Sequence, residues 1–151
     1  MKRILAIDDD DRVLGTLKTC LEVGRQYTVI TAHGGKAGLK AARRERPHLI
    51  LLDMNMPDKD GLEVLAQLSE DPLTRYTPVI MLTAEESEDA KDLAPDQYAE
   101  LYITKPFDMK ELEERIRRIL ARRARSYAMS AAMRRRQGSL VLWLFQKWMM
   151  N

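Results

Sequence analysis

The sequence has a single cysteine among its 151 residues, so an internal disulfide is impossible and a disulfide-stapled secreted scaffold is excluded. Long apolar runs are also missing. The longest, Leu140 to Phe145, has six residues, whereas a helix that spans a membrane needs about 20. The apolar run near the start, Ile4 to Ile7, is too short for the core of a signal peptide. We therefore expect a cytoplasmic protein with no membrane-spanning segment.

Charge is distributed unevenly along the chain. Hydrophobic residues make up 45% and charged residues 32%, which is typical of a globular and not of a disordered protein. Residues 1–114 contain 15 basic and 23 acidic residues, a net charge of −8. Residues 115–151 contain ten basic residues and no acidic one. The total of +2 therefore hides an acidic body and a basic C-terminal segment.

Short apolar runs alternate with amphipathic stretches over residues 1–123. Runs that are apolar throughout are typical of strands buried on both faces, and helices between them indicate a parallel sheet covered on both sides. With right-handed crossovers, this pattern predicts an α/β fold with a doubly wound five-stranded parallel sheet. The predicted strands are Arg3–Asp8, Tyr27–Thr31, His48–Leu52, Pro78–Leu82 and Leu101–Thr104; the predicted helices cover 13–21, 34–46, 61–68, 85–94 and a long stretch from Asp108.

Chemically active side chains follow four of the predicted strands. Asp8 and Asp9 end the first strand, Asp53 follows the third, Thr83 the fourth and Lys105 the fifth. Ligands bind outside the carboxyl ends of the strands in such sheets, so we expect these residues to meet at one edge. Clustered carboxylates favour a divalent cation, and Mg²⁺ suits one or two carboxylates with water.

A carboxylate beside a cation can act as a nucleophile and accept a phosphoryl group. Phosphoryl transfer needs mainly positioning and charge neutralisation. Asp53 is the candidate nucleophile, the Lys105 ammonium a mobile counter-charge, and the Thr83 hydroxyl a donor to a phosphoryl oxygen. The neighbouring acids Asp10 and Asp11 are more simply explained as a helix cap and a solvated charge.

At these motifs the sequence resembles the receiver domains of two-component response regulators. The matching segments are I-L-A-I-D-D-D, L-I-L-L-D-M-N-M-P-D-K-D-G, P-V-I-M-L-T-A and Y-I-T-K-P-F, in family order and spacing. The resemblance covers about residues 2–122 and implies a flavodoxin-like receiver fold, resembling the single-domain chemotaxis regulators. It implies a receiver domain at 1–123; the remaining residues, 124–151, are expected to form a basic, then apolar, helical C-terminal extension.

The resemblance also implies roles for individual residues. Asp53 would be the phosphoacceptor, taking its phosphoryl group from a sensor histidine kinase or phosphotransfer protein, and Thr83 and Lys105 would bind the phosphoryl oxygens. Tyr102 would be the aromatic switch that turns inward when Thr83 moves. Magnesium would be bound by the carboxylates of Asp9 and Asp53, by the backbone carbonyl of Asn55, and by Asp8 mostly through water.

Two further positions are expected to tune the loss of the phosphoryl group. Asn55 lies two residues after Asp53, and Glu85 lies two residues after Thr83. In the family these positions shape how fast water attacks the acyl phosphate. Their identities here resemble chemotaxis-type regulators and predict a short-lived phosphoaspartate.

The sequence departs from the family pattern in its fourth predicted helix. This helix is unusually acidic, it is followed by Pro95, and Tyr98 stands where a glycine is usual. The surface formed by that helix, the fifth strand and the last helix is the family's usual output surface, so its dimer geometry here is in doubt. We nevertheless expect output through protein contact or self-association at this face and the tail.

The C-terminal segment is the larger departure. About 28 residues follow Arg123, too few for a winged-helix DNA-binding domain, so none is expected. Gly138 and Ser139 predict a helix break and a new N-cap before the apolar residues 140–150. Four interpretations stay open: packing on this receiver or a second copy, docking to another protein, binding to an anionic membrane, and binding to nucleic acid.

Other classes of function fit the residues less well. An aspartyl phosphatase usually has a second acid two residues after its nucleophile, and Asn55 occupies that position. A phosphorylation-independent interaction module is the main alternative, although every expected acidic, hydroxyl and ammonium group is present. The glycines at 34, 35 and 38 do not fit a nucleotide-binding motif. Cys20 falls on the apolar face of the first helix, which predicts a core position. We thus expect a signalling protein and not a conventional enzyme.

Overall fold

The computed structural model describes residues 1–84 and 99–149, without the side chains of 139–145 and 148. Predicted strands and helices appear in the predicted order, with boundaries shifted by up to two residues. The predicted helix over 85–94, together with Pro95 and Tyr98, lies outside the described residues. The elements are β1 (Lys2–Asp8), α1 (Asp11–Glu22), β2 (Tyr27–His33), α2 (Gly35–Glu45), β3 (Leu49–Asp53), α3 (Gly61–Glu70), β4 (Val79–Ala84), β5 (Leu101–Lys105) and α4 (Met109–Met149).

The sheet has the order β2-β1-β3-β4-β5, and all its neighbouring strands are parallel. This confirms the predicted doubly wound fold. The chain leaves β1 toward β2 on one side and returns to β3 on the other, so the order reverses between β1 and β3. A crevice opens at the carboxyl ends of the strands at such a reversal. It is the position at which Asp8 and Asp53 lie.

The central strands are apolar because helices cover both of their faces. Every residue of β3 is buried, and the side chains of Ile4, Leu5 and Ile50 are fully inaccessible to solvent. Helices α1 and α3 each begin after a capping aspartate. Asp10 accepts a hydrogen bond from the Arg12 backbone N–H at the start of α1, and Asp60 accepts one from the Leu62 backbone N–H at the start of α3. These caps fix where the chain turns away from the functional edge.

The prediction for Cys20 is wrong, because its side chain is exposed. The buried face of α1 consists of Leu14, Leu17 and Leu21. This stripe is narrower than the one predicted. Cys20 directly precedes Leu21 and is therefore rotated from it by about 100° around the helix.

The predicted break at Gly138 and Ser139 is also wrong. Helix α4 runs from Met109 to Met149 without interruption. A single glycine costs a helix only about 1 kcal/mol relative to alanine, and its neighbours include the strong helix formers Arg136, Gln137 and Leu140. The end of the arginine-rich stretch and the apolar stretch therefore belong to one helix.

The chain divides into two compact units, Met1–Ile116 and Arg117–Asn151. The first unit contains the sheet and the start of α4, where Leu112 and Ile116 are fully buried. Among the described residues, no helix combines the length and apolar character needed to cross a membrane. The domain boundary at 123/124 stays a prediction.

Candidate functional site

Three carboxylates meet at the carboxyl edge of the sheet. Ile7 of β1 pairs with Leu52 of β3, so Asp8 and Asp53, the next residues, end neighbouring strands side by side. Asp9 follows directly in the turn to α1. One carboxylate oxygen from each of the three aspartates lies within 4.8 Å of the others. The parallel register of β1 and β3 thus assembles an all-oxygen cluster from residues that are 44 positions apart.

Lys105 reaches this cluster from the far side of β4. Its Nζ donates to Asp53 Oδ1 at 3.0 Å and to Asp8 Oδ2 at 3.2 Å. The other oxygen of Asp8 accepts from the Asp10 backbone N–H at 2.9 Å. The ammonium therefore joins the ends of β1, β3 and β5. The peptide bond after Lys105, to Pro106, is cis.

Burial dominates the electrostatics of Asp53, which is only 4% exposed. The loss of solvent is the largest influence on the pKa of Asp53, the nearby charge of Asp8 also raises this pKa, and the net pKa is about 6. The hydrogen bond from Lys105 and its charge act in the opposite direction but do not cancel the effect of burial. Burial alone would lower the pKa of Lys105, but the hydrogen bonds and charges of Asp53 and Asp8 outweigh it, so the net pKa of Lys105 is raised.

The charges and donor atoms of this cluster fit a divalent cation. With all groups ionised, three carboxylates face one ammonium, which leaves an excess of two negative charges. Hard oxygen donors without sulfur or imidazole are what Mg²⁺ prefers. Asn55 lies on the loop between β3 and α3, and its backbone N–H hydrogen-bonds to Asp53. The loop that carries Asn55 is therefore held against Asp53.

Thr83 and Tyr102 lie on the neighbouring strands. Thr83, at 1% exposure, is buried near the end of β4 and pairs in register with Thr104 of β5. Tyr102 lies two residues earlier on β5, is half-buried, and packs against the core. Burial raises the pKa of its phenol. Glu85, the second predicted tuning residue, lies outside the described residues.

Sequence reasoning missed the role of Asp58. Its carboxylate accepts hydrogen bonds from the backbone N–H groups of Gly35 at 3.0 Å and Lys36 at 3.1 Å, at the N-terminus of α2. These bonds hold the pKa of Asp58 below its usual range. The carboxylate takes the place that a phosphate would occupy at a helix N-terminus, which supports discounting a nucleotide site at these glycines. Two features of the sequence could have indicated this contact: an acidic residue in the loop between β3 and α3, and a Gly-Gly pair before a predicted helix.

The raised pKa of Asp53 predicts that Asp53→Asn stabilises the cation-free protein. The pKa of folded Asp53, about 6, exceeds the ordinary value of an aspartate, 3.8, so the folded state binds the extra proton between these values. The contribution of Asp53 to the free energy of unfolding therefore falls as the pH rises through this window. Asn resembles the protonated acid, and the variant should be about 2–3 kcal/mol more stable above this window.

Urea unfolding in EDTA at a series of pH values measures this difference. The two proteins should converge in stability as the pH falls below 3.8, because wild-type Asp53 is then protonated in both the folded and the unfolded state. Asp60→Asn is the matched control: it removes an acid from the same loop, and Asn caps a helix as well as Asp. A variant less stable than the wild type at neutral pH would contradict the described electrostatics.

Comparisons with known proteins agree with this geometry. The family model described as "Response regulator receiver domain" matches residues 4–117. The alkaline phosphatase synthesis transcriptional regulatory protein PhoP of Bacillus subtilis (strain 168) is 41% identical over 121 residues, which are 80% of this chain and 49% of PhoP. The transcriptional regulatory protein CpxR of Escherichia coli (strain K12) is 42% identical over 122 residues, 81% of this chain and 50% of CpxR.

Solved structures show the same likeness. A CheY-like response regulator receiver domain protein from Methanospirillum hungatei JF-1 superposes with a TM-score of 0.76 at 31% identity, covering 83% of this chain and 98% of that one. A putative response regulator from Chloroflexus aurantiacus J-10-fl gives 0.72 at 33% identity, covering 80% and 98%. This chain spans about half the length of the curated relatives it matches but nearly the whole of these structures.

Proposed function

The chain belongs to the response regulator receiver family, and from that premise we propose that Asp53 is the phosphoacceptor of a two-component pathway. Receiver domains are signalling proteins and not conventional enzymes. One observation carries the proposal: a buried carboxylate at the switch point of the sheet is hydrogen-bonded to Lys105 and clustered with two further carboxylates. The phosphoryl donor would be a histidine of a sensor kinase or of a phosphotransfer protein.

The proposed reaction transfers one phosphoryl group. An oxygen of the ionised Asp53 carboxylate attacks phosphorus, and the phosphorus–nitrogen bond of the donor histidine breaks. Its electron pair stays on the histidine nitrogen, and Asp53 becomes an acyl phosphate. Little covalent chemistry is asked of the other residues, which position the groups and neutralise charge.

Lys105 and Thr83 are proposed to bind the transferred group. The Lys105 ammonium already lies 3.0 Å from the nucleophile and stays charged, so it can follow the negative charge onto the phosphoryl oxygens. The Thr83 hydroxyl would donate to one of these oxygens from the adjacent strand. Displacement of Thr83 would bias Tyr102 inward, which makes the two residues the proposed switch between existing conformations.

We propose that Asp8, Asp9, Asp53 and the backbone carbonyl of Asn55 hold Mg²⁺. When bound, the cation supplies positive charge that neutralises the carboxylates and the phosphoryl oxygens. Asn55, together with Glu85, is proposed to govern access of water to the acyl phosphate. The exposed position of Asn55 at the mouth of the site supports this role.

The output is proposed to work through protein contact. The proposed surface for a downstream protein or for self-association is the family's output face, which the sequence leads us to expect at the stretch 85–94, β5 and the last helix; of these, 85–94 lies outside the described residues. The C-terminal helix offers a second contact surface. A phosphorylation-independent interaction module remains the competing function, and it would need neither the cation nor an ionised Asp53.

Cation dependence tests the proposal against this alternative. With acetyl phosphate as a small donor, phosphoryl incorporation should require Mg²⁺, stop in EDTA and return when Mg²⁺ is added back. Asp9→Asn should weaken the apparent affinity for Mg²⁺ by tenfold or more, since even losing a group behind a ligand costs about 10–100-fold. Asp11→Asn, in the same turn but with its acid exposed, is the control. Undiminished incorporation in EDTA would refute the cation site.

A further inference from the structure

The C-terminal helix presents a long, exposed and strongly basic surface. Residues 121–138 of α4 are all exposed, apart from the half-buried Ala131. No acidic residue follows Glu114 in the sequence, so Arg125 and Arg134 to Arg136 have no acid within four positions along the helix. Pairs of opposite charge at this spacing are what usually stabilise a solvated helix. A surface of this kind is suited to a polyanion.

Apolar side chains are exposed on the same stretch. Tyr127 is 73% exposed, and Met129 and Met133 are each 63% exposed. In the sequence that follows, nine of the eleven residues from 140 to 150 are apolar, and they include two tryptophans and a phenylalanine. A basic stretch followed by an apolar segment on one helix offers two kinds of contact to an anionic membrane, one with the lipid phosphates and one with the boundary between headgroups and acyl chains.

We propose that residues 119–149 of α4 bind the surface of an anionic phospholipid bilayer and lie in its plane. The arginines would contact lipid phosphates, and the apolar side chains would enter the boundary between headgroups and acyl chains. Stable anchoring takes two signals, and a basic cluster with an apolar segment supplies both.

Two other occupants fit the same surface less well. A nucleic acid would satisfy the arginines but would leave the apolar residues in water. A second copy of residues 119–149 could cover the apolar residues, but it would bring together two segments that each carry seven basic residues and no acid. Because α4 is uninterrupted, its basic and apolar residues belong to one helix, which favours a single extended partner surface that binds both.

The chain provides its own spectroscopic probe for this proposal. It contains only two tryptophans, Trp143 and Trp148, and both lie in the C-terminal helix. Vesicles that contain phosphatidylglycerol should shift the tryptophan emission of the full chain to shorter wavelength. Vesicles of pure phosphatidylcholine should cause little shift, and added salt should weaken binding to the anionic vesicles.

Two variants with the same net charge distinguish binding through the arginines of α4 from general electrostatic attraction between the protein and the vesicle. Replacing Arg134, Arg135 and Arg136 by Gln should weaken binding to anionic vesicles by roughly a hundredfold, given the usual contribution of a basic residue at such a surface. The control replaces three exposed basic residues of the first unit by Gln and lowers the net charge equally; these are Lys36, Lys40 and Arg44. It should bind within about threefold of the wild type, since long-range attraction alone is screened.

The proposal is overturned by any of four results: no emission shift with anionic vesicles, equal binding to neutral vesicles, equal weakening in both triple variants, or an emission shift with duplex DNA or RNA but not with vesicles. Asp53→Asn should bind vesicles like the wild type. A failure of membrane binding would therefore not affect the proposed phosphoacceptor function, and a failure of phosphorylation at Asp53 would not affect the proposed membrane binding.

Discussion

Asp53→Asn is expected to abolish phosphoryl incorporation from acetyl phosphate in the presence of Mg²⁺. The amide nitrogen and oxygen of Asn carry no negative charge and are poor nucleophiles, so no acyl phosphate can form. The remaining parts of the site stay in place, because Asn has nearly the same shape as the buried Asp. Intact-mass spectrometry after brief incubation measures the fraction of chains that carry one added phosphoryl group.

The interpretation depends on showing that the variant is folded. Asn is expected to stabilise the cation-free protein. If the variant loses incorporation but has a raised free energy of unfolding, the loss is due to the missing nucleophile and not to unfolding. Asp60→Asn should retain incorporation, because the Asp60 carboxylate caps α3 and Asn can make the same cap. Substantial labelling of the Asp53→Asn chain would assign the phosphoryl group to another residue.

Gly61→Ala is expected to destabilise the protein by about 3 kcal/mol, the upper end of the usual cost of overpacking. A Cβ at this position would collide with the backbone carbonyl oxygen of Asp53 and would lie 2.7 Å from the Cα of Met54. Both are backbone atoms, so the clash cannot be relieved by rotating a side chain. The Gly61 N–H also donates to the Met54 carbonyl at 2.9 Å, which ties the start of α3 to the end of β3.

The same substitution at Gly15 provides the control. Gly15 is exposed on α1, and nothing lies within 4 Å of a Cβ placed there. Gly15→Ala should therefore raise the free energy of unfolding by about 0.5–1 kcal/mol, the usual helix gain. Urea unfolding of both variants measures the contrast, and slower phosphorylation of Gly61→Ala at a temperature where it is folded would show that the Asp53 loop has moved. Equal effects at the two glycines would contradict the described close approach.

The sheet and its functional edge could be predicted because both follow from repeated local patterns. Parallel strands that are buried on both faces are apolar throughout, as in β3, and are therefore easy to recognise in a sequence. Parallel pairing then places their carboxyl ends at one edge of the sheet, independently of the conformations of the loops. Proximity of Asp8 to Asp53 therefore needs only the strand order. The reach of Lys105 across β4 needed the family resemblance, because one lysine after a strand carries little information by itself.

The failures of prediction are equally local in origin. Cys20 was placed in the core because helical spacing alone does not give the width of a buried stripe, which depends on what packs against the helix. Gly138 was assigned to a break because its helix cost was weighed without the strong helix formers around it. Asp58 contacts the start of α2, which lies more than 20 residues away in the sequence. Hydrophobic periodicity carries no information about such a contact.

The charge asymmetry was visible in the sequence, but its meaning depended on the helix. An arginine-rich stretch followed by a break would have given two short, independent segments. The uninterrupted α4 makes the basic and apolar residues parts of one surface, which is why an anionic membrane accounts for them together. Exposure of Tyr127 on that helix could not be deduced from its position in the sequence.

Chemical mapping of the phosphoryl group tests the central claim most directly. Borohydride reduces an aspartyl phosphate to homoserine, so the wild-type chain is incubated with acetyl phosphate and Mg²⁺, reduced, digested and sequenced by mass spectrometry. The account predicts homoserine at position 53 and at no other aspartate. Homoserine at position 8 or 9, or a phosphoryl group that resists reduction on a serine, threonine or histidine, would contradict it.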